Sequence, residues 1–406
     1  MNRTIDGTRH SERIETVIIG GGQAGLAAAY HLQRRKRPFV VLEAGARVGD
    51  NWRKHWDSLR LFTPATLSYL PGMRYPCRGW IFPTKDEFAE YLERYAARFS
   101  LDVRTGMRVE RVTRHAGRYL VTAGAQSFEA DYVVLATGAH REPKIPAFAS
   151  ALDPGIVQLH SSAYRNPDQL RAGAVLVVGA ANSGSEIALE LAARRDVWLS
   201  GRTAPVFPVR PHSVAARIVM RAFVFTATHL VTTRTPLGRR VRPYILANPA
   251  PLIRVKPQDL AAAGVRRVSR VVGVHDGRPR LEDGSELDVA NVVWCTGFQV
   301  DFSWIDLPAC AAGGEPAHER GVLTDEPGMF MVGQLFQHAL ASTFIGGVGR
   351  DAEHVARIIE RRTHETAAHR QPTRHARPAQ PGREADPWTG PRGPGPPQRA
   401  GVHKPK

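Results

Sequence analysis

A short β-branched strand, a glycine-rich turn and an alanine-rich helix follow one another twice in this chain, and few folds accommodate that arrangement. The first copy runs from Thr16-Val17-Ile18-Ile19 into Gly20-Gly21-Gly22-Gln23-Ala24-Gly25, then an Ala/Leu helix to about Arg35 and a strand FVVL that ends at Glu43. The second opens with AVLVVG, from Ala174 to Gly179, and continues Gly179-Ala180-Ala181-Asn182-Ser183-Gly184, a helix, and the strand DVWLS ending near Ser200. Apolar runs alternating with Ala-rich helical stretches are the pattern of parallel strands joined by crossover helices, so the expected class is α/β with two Rossmann-like dinucleotide-binding domains. At 406 residues the chain is too long for one ordinary core and fits two domains or a composite of two similar halves.

Each residue of the first turn has a physical task. Gly20 permits the tight strand-to-helix turn, Gly22 lets the backbone approach a pyrophosphate, and Gly25 lets helix and strand pack closely. The helix N-terminus presents N–H groups and a positive dipole to phosphate. Glu43, placed eighteen residues beyond Gly25, can accept hydrogen bonds from ribose hydroxyls. In the second turn Ala181 replaces the middle glycine, which crowds the pyrophosphate approach without abolishing it. Where an acid would select an unphosphorylated ribose, the chain reads Ser200-Gly201-Arg202-Thr203. A guanidinium there suits the 2′-phosphate of NADPH, although Arg202 is equally one of 48 arginines on a solvated surface.

Charge and cysteine content narrow the function classes. The formal charge is +17, but Arg361 to Lys406 alone holds ten Lys or Arg against three Asp or Glu, together with nine prolines. With no recognition module accompanying the charge, a nucleic-acid partner is not expected. Cys77, Cys295 and Cys310 are far apart and include no CxxC pair, so a disulfide scaffold, a cysteine zinc site and a redox dithiol are not available; no metal site is expected. The first residues, MNRTIDGTRHSERIE, lack the apolar core of a secretory signal, and no stretch approaches the roughly 20 apolar residues of a membrane span, so the expected location is cytoplasmic.

Further motifs carry a resemblance to a known family. Val48-Gly49-Asp50-Asn51-Trp52-Arg53 contains a GGxW-like element just after the acidic strand end, and YVVLATG and NVVWCTG are similar to the two crossings of two-dinucleotide flavoproteins. Gly155 to Tyr164 is a counterpart of the fingerprint FxGxxxHxxx(Y/W), with the glycine five residues before His160 and no Phe two positions before that glycine. SLRLFTPA, FPTKDEFAEYLERYAARF and PGMFMVGQLFQHALASTFIGGVGRDAEHVARIIERR complete the set. Together, from about residue 14 to 362, these resemble class B flavin-dependent monooxygenases, in particular the bacterial relatives of the YUCCA enzymes.

The resemblance implies an enzyme in which NADPH reduces FAD and a C4a-(hydro)peroxyflavin passes one oxygen atom of O₂ to a small organic substrate. FAD is then assigned to Gly20, Gly22, Gly25, Glu43, Asn51, Trp52, Thr137, Gly138 and Gln334, and NADPH to Gly179, Asn182, Ser183, Gly184 and Arg202. Trp52 is by itself as readily a packed aromatic as a cofactor neighbour. His160 is the one candidate for proton transfer, with holding the linker against the NADPH domain as its competing role. Tyr164-Arg165 replaces the Trp-Pro of Baeyer–Villiger members, which disfavours that chemistry. The Asn that animal-type members place near the reacting oxygen has no counterpart in Phe62-Thr63-Pro64-Ala65. A non-catalytic flavoprotein redox sensor is the alternative, because Ala181 and the altered linker are compatible with lost NADPH turnover.

The expected organisation is a leader at 1–13, an FAD-binding domain at 14–150 that returns at 291–362, an NADPH-binding domain at 151–290, and a disordered basic, Pro-rich tail at 363–406. Residues 204–262 carry the least recognisable sequence and are expected to set substrate specificity. Within them SVAARIVMRAFVFTATHLV reads as a helix with Arg217 and Arg221 on one face. Covering the active-site entrance is favoured for it over lying on a membrane, because interfacial binding calls for a more sustained apolar face.

Overall fold

The β-branched runs become the central strands of two parallel sheets, and the small-residue helices cover them. The computed structural model describes residues 11–77, 79–138, 142–310 and 315–370, with Gly393 and Gly395. In chain order the elements that carry the architecture are β1 (Ser11–Ile19), α1 (Gln23–Arg34), β2 (Phe39–Leu42), α2 (Lys85–Arg98), β3 (Gln126–Leu135), β4 (Val157–His160), β5 (Val175–Val178), α3 (Asn182–Ala192), β6 (Val197–Ser200), α4 (Val214–His229), α5 (Pro236–Ala247), β7 (Arg266–Val268), β8 (Asn291–Trp294), β9 (Met329–Met331) and α6 (Val348–Arg370).

The first sheet has a parallel centre in the order β9-β3-β1-β2. Its register sets Ile19 opposite both Leu42 and Leu135, and Leu135 opposite Met331. The second sheet is wholly parallel in the order β7-β6-β5-β8-β4, with Val178 opposite Ser200 and Trp294, and Trp294 opposite His160. Each alignment ends its strands in one row. Backbone leaving those rows forms the crevice in which parallel α/β sheets bind ligands.

The helices follow from their apolar faces. Nine consecutive residues of α1, Ala24 to Leu32, are buried, and the methyl-sized side chains let it lie close on the sheet. Val348, Ala352, Val355, Ala356 and Ile359 of α6 recur at helical spacing and join Leu26 and Leu32 of α1 in one apolar cluster. α2 begins with a reciprocal cap, in which Glu87 N–H donates to Thr84 Oγ1 at 3.1 Å and Thr84 N–H to Glu87 Oε2 at 2.8 Å.

Two boundaries differ from those read in the sequence. β1 starts at Ser11, which pairs with Ser127, so residues 11–13 belong to the first sheet; residues 1–10 lie outside the described residues. Residues 291–294, assigned to the returning part of the first domain, are β8, between β5 and β4 of the second sheet. The chain divides into compact units at the expected position, 1–362 and 363–406, although the helical backbone of α6 runs on to Arg370; nearly all of the tail beyond it lies outside the described residues. No described helix is long and apolar enough to cross a membrane.

Candidate dinucleotide sites

The two glycine turns have the same construction. Gly20 (φ +108°) and Gly179 (φ +110°) leave their strands in a conformation that disfavours side chains. A Cβ at Gly20 would stand 2.5 Å from the Ala136 carbonyl oxygen, and one at Gly179 would collide with the Cys295 carbonyl. Each turn therefore lies directly on one of the crossings. Gly25 and Gly184 are equally constrained, because a Cβ on either would strike the carbonyl of its own turn, Gly20 or Gly179.

Gly22 behaves differently: its φ is −78°, and a Cβ there would meet nothing within 4 Å. Nothing in the chain itself calls for glycine at that position, whereas a pyrophosphate lying on the turn would. Neither α1 nor α3 has a side-chain cap, and neither carries an acid in its first turn. Both N-termini thus keep their anion-attracting character, unlike the capped α2.

Glu43 stands immediately after β2, with Oε2 accepting from Gly21 N–H and Oε1 from Gly45 N–H, each at 2.7 Å. Two backbone donors fix the carboxylate over the turn, and its remaining lone pairs suit ribose hydroxyls. Thr137 Oγ1 and Gln334 Nε2 follow β3 and β9, and both are buried without a hydrogen-bond partner. Unpaired buried polar atoms are costly, so two of them beside the same turn fit a polar cofactor edge. Trp52 is packed, edge-on to Phe88 with centroids 4.8 Å apart, and it also donates Nε1–H to Gln23 Oε1 at 3.2 Å, in the first turn of α1. Asn51 is exposed beside it.

The second turn departs from expectation at Asn182. Its side chain is occupied by the returning end of the 204–262 segment: Nδ2 donates to Pro251 O at 3.0 Å, and Oδ1 accepts from Ile253 N–H at 3.2 Å. Ser183 stands next to it in the first turn of α3, and Arg202 is exposed beyond β6. Sequence reasoning missed Arg267. It stands opposite Leu199 on β7, and its Nη2 donates to Gly201 O at 2.7 Å and reaches Thr203 Oγ1 at 3.5 Å. A β6–β7 pairing across more than sixty residues of chain brings it to the Arg202 loop, which no local motif announces. Glu186, one helical turn beyond Asn182, was also missed. Burial raises its carboxyl to about 7, against the opposing charge of Arg254, whose Nη1 lies 3.3 Å from Oε2 and 3.1 Å from Arg60 O.

The two crossings meet. Glu142–Pro143, after the first, pairs antiparallel with Phe298–Gln299, after the second, and Lys144 N–H donates to Gly297 O at 3.0 Å. Thr296 Oγ1 adds a hydrogen bond to Lys144 O. His160 is built into this junction. Its Nδ1 accepts from Ser162 N–H at 3.2 Å, so Nε2 carries the proton and donates to Gly297 O at 3.0 Å, while Phe298 packs edge-on against the ring. Burial lowers the pKa of the imidazole, with the Gly297 hydrogen bond opposing. Both ring nitrogens are engaged, which is the geometry of a linker support. Tyr164, at the end of the same motif, is fully buried and donates to Glu190 Oε2 at 2.7 Å.

All three thiols are free, and burial pushes Cys295 up to about 12 and Cys310 to about 11.

Comparison with known proteins agrees with this fold. The family model described as pyridine nucleotide-disulphide oxidoreductase matches residues 17–214. An uncharacterized CzcO-like oxidoreductase of Geobacillus kaustophilus is 36% identical over 349 residues, which cover 85% of this chain and 98% of that protein. A probable indole-3-pyruvate monooxygenase, YUCCA7 of Arabidopsis thaliana, is 30% identical over 330 residues, covering 71% of this chain and 75% of the relative. The flavin-containing monooxygenase from Stenotrophomonas maltophilia superposes with a TM-score of 0.70 at 26% identity, covering 87% of this chain and 99% of that one. The chain belongs to the class B flavin-dependent monooxygenases, with the CzcO-like oxidoreductases and the YUCCA enzymes among its relatives.

Proposed function

We propose that the chain takes hydride from NADPH onto FAD and transfers one atom of O₂ to a small organic substrate. The observation that carries this reading is the doubled turn: two glycine turns of the same construction, each seated on a crossing and the first open in front of Gly22, with the segments after those crossings paired. Bound FAD supplies the two-electron chemistry and oxygen activation that the side chains around these turns lack.

The chain's own residues then bind and orient. Gly20, Gly22 and Gly25 with the N-terminus of α1 receive the FAD pyrophosphate, and Glu43 takes the ribose hydroxyls. Thr137, Gly138 and Gln334 line the strand ends beside it, with Asn51 and Trp52 closing the turn from the short helix Asp50–Arg53. Gly179, Ser183 and Gly184 serve NADPH in the same way. Arg202 takes the 2′-phosphate, and Arg267 shapes its loop. Asn182 contributes by bracing residues 250–253 against α3, and His160 holds Gly297 and so fixes how the two halves are joined.

Anaerobic mixing with NADPH should bleach the flavin band of the purified protein. In air, one class in a panel of amines, sulfides, ketones and 2-oxo acids should stimulate NADPH consumption and yield oxygenated product in proportion. Reduction by NADPH that every class leaves unstimulated, with the electrons recovered only as hydrogen peroxide, would count against monooxygenation.

A further inference from the structure

The segment between Asp196 and Asp259 is 62 residues long and contains ten Lys or Arg but no Asp or Glu. It includes α4 and α5. On its inner side α4 is committed to the fold: Ala216, Met220 and Ala227 are buried, Met220 clusters with Phe207 and Ile253, and Phe223 packs on Phe344 at 6.0 Å. The opposite side is not committed. Val214, Ile218 and Phe225 are 78%, 71% and 59% exposed, and at about 100° per residue they fall within about 40° of arc. Arg217 and Arg221 flank that stripe, the latter resting its guanidinium over the Trp80 ring at 5.7 Å. On α5, Leu237 and Tyr244 are 50% and 60% exposed two turns apart, with the exposed Arg240 about 60° round the helix from Leu237. Seven of the fourteen exposed large apolar side chains among the described residues lie between Val214 and Leu246.

Arg210 and Arg254 of this segment are paired with Asp259 and Glu186, but α4 and α5 themselves carry basic charges only, and apolar side chains among such charges match a partner that is apolar within and anionic at its boundary. We propose that the outward faces of α4 and α5 dock on an anionic phospholipid bilayer, with Val214, Ile218, Phe225, Leu237 and Tyr244 entering the interface and the arginines meeting phosphate headgroups. The protein lies on the membrane, since no described helix can span it. A second copy of the chain is the poorer occupant, because a two-fold contact would set the same acid-free basic face against itself. Five exposed apolar side chains, three on α4 and two on α5, supply the apolar contact that the sequence pattern of α4 did not show by itself.

The test is flotation of the full-length holoprotein with vesicles of phosphatidylcholine alone or mixed with phosphatidylglycerol. The wild type should float with the anionic vesicles, poorly with the neutral ones, and less as salt rises. Ile218→Ser with Phe225→Ser, and separately Arg217→Gln with Arg240→Gln, should each weaken flotation about ten-fold or more while retaining the flavin spectrum. If the apolar pair does not fold, the arginine pair decides the matter. Absence of wild-type flotation, or flotation unchanged in a folded double variant, would overturn the proposal. So would a wild-type dimer that the apolar pair converts to monomer with no vesicle binding, which would reassign the face to self-association.

Discussion

Gly22 and Ala181 occupy the same backbone position in the two turns, at φ, ψ of −78°, −171° and −83°, −168°. The conformation is one that any residue adopts, so what distinguishes the two sites is the space in front of the Cα. Because a Cβ at residue 22 meets nothing in the chain, Gly22→Leu should fold normally, with unchanged circular dichroism, and emerge without the yellow colour of FAD. Full FAD occupancy in the folded variant would remove the pyrophosphate from this turn.

In the second turn the methyl group of Ala181 stands where Gly22 leaves open space. Ala181→Gly should therefore lower KM for NADPH, on the order of five-fold, with little change in kcat, since the pyrophosphate contact is remote from the reacting nicotinamide. Initial rates of NADPH oxidation across a coenzyme titration measure this. An unchanged or raised KM would mean that the methyl does not face the coenzyme.

Arg202 sits in the loop that Arg267 holds from β7, and the two make separable predictions. Only NADPH carries the 2′-phosphate, so Arg202→Ala should raise KM for NADPH by about 10- to 150-fold and leave KM for NADH nearly unchanged. Arg267 instead holds Gly201 and Thr203 in place, so Arg267→Ala should weaken both coenzymes. Rapid-mixing measurements of flavin reduction with each coenzyme separate the cases. Equal losses in the Arg202 variant would contradict the phosphate role.

Three histidines impose a pH dependence on stability. Burial lowers His31, His338 and His354 from 6.5 to about 4, and for His338 the nearby Arg320, Arg350 and Arg234 act in the same direction. Each is neutral in the folded protein and protonated in the unfolded chain below about pH 6.5, so the unfolded state binds more protons there. Stability is thus fully present above about 6.5 and declines as pH falls toward about 4. The urea midpoint should follow that course between about pH 7 and 4.5, and His338→Gln should flatten it. A midpoint that rises as pH falls through this window would contradict the assignment.

The strand, turn and helix of each dinucleotide unit were legible in the chain because their signals are local. Val-Ile runs favour strands, Gly20 and Gly179 need a positive φ, and α1 and α3 announce themselves by small residues at close spacing. The same locality explains the errors. Ser11 to Arg13 look like a polar leader until β3 supplies backbone partners, and β8 looks like the start of a returning domain until β4 and β5 enclose it. Asn182 is assigned to NADPH from its place in the second turn because nothing near it in sequence reveals residues 250–253.

From sequence alone, then, came the α/β class, the two nucleotide turns, Glu43 at the end of β2 and the family. The tertiary structure decided which groups converge on those turns: the Gly21 and Gly45 donors that hold Glu43, the β7 register that carries Arg267 to the Arg202 loop, and the junction through which His160 grips Gly297. It also decided that one face of α4 packs while the other stays open. The physical reason is that helix and strand periodicity constrain only residues a few positions apart, whereas a partner brought in across a sheet or between the two halves leaves no trace in the spacing of either residue.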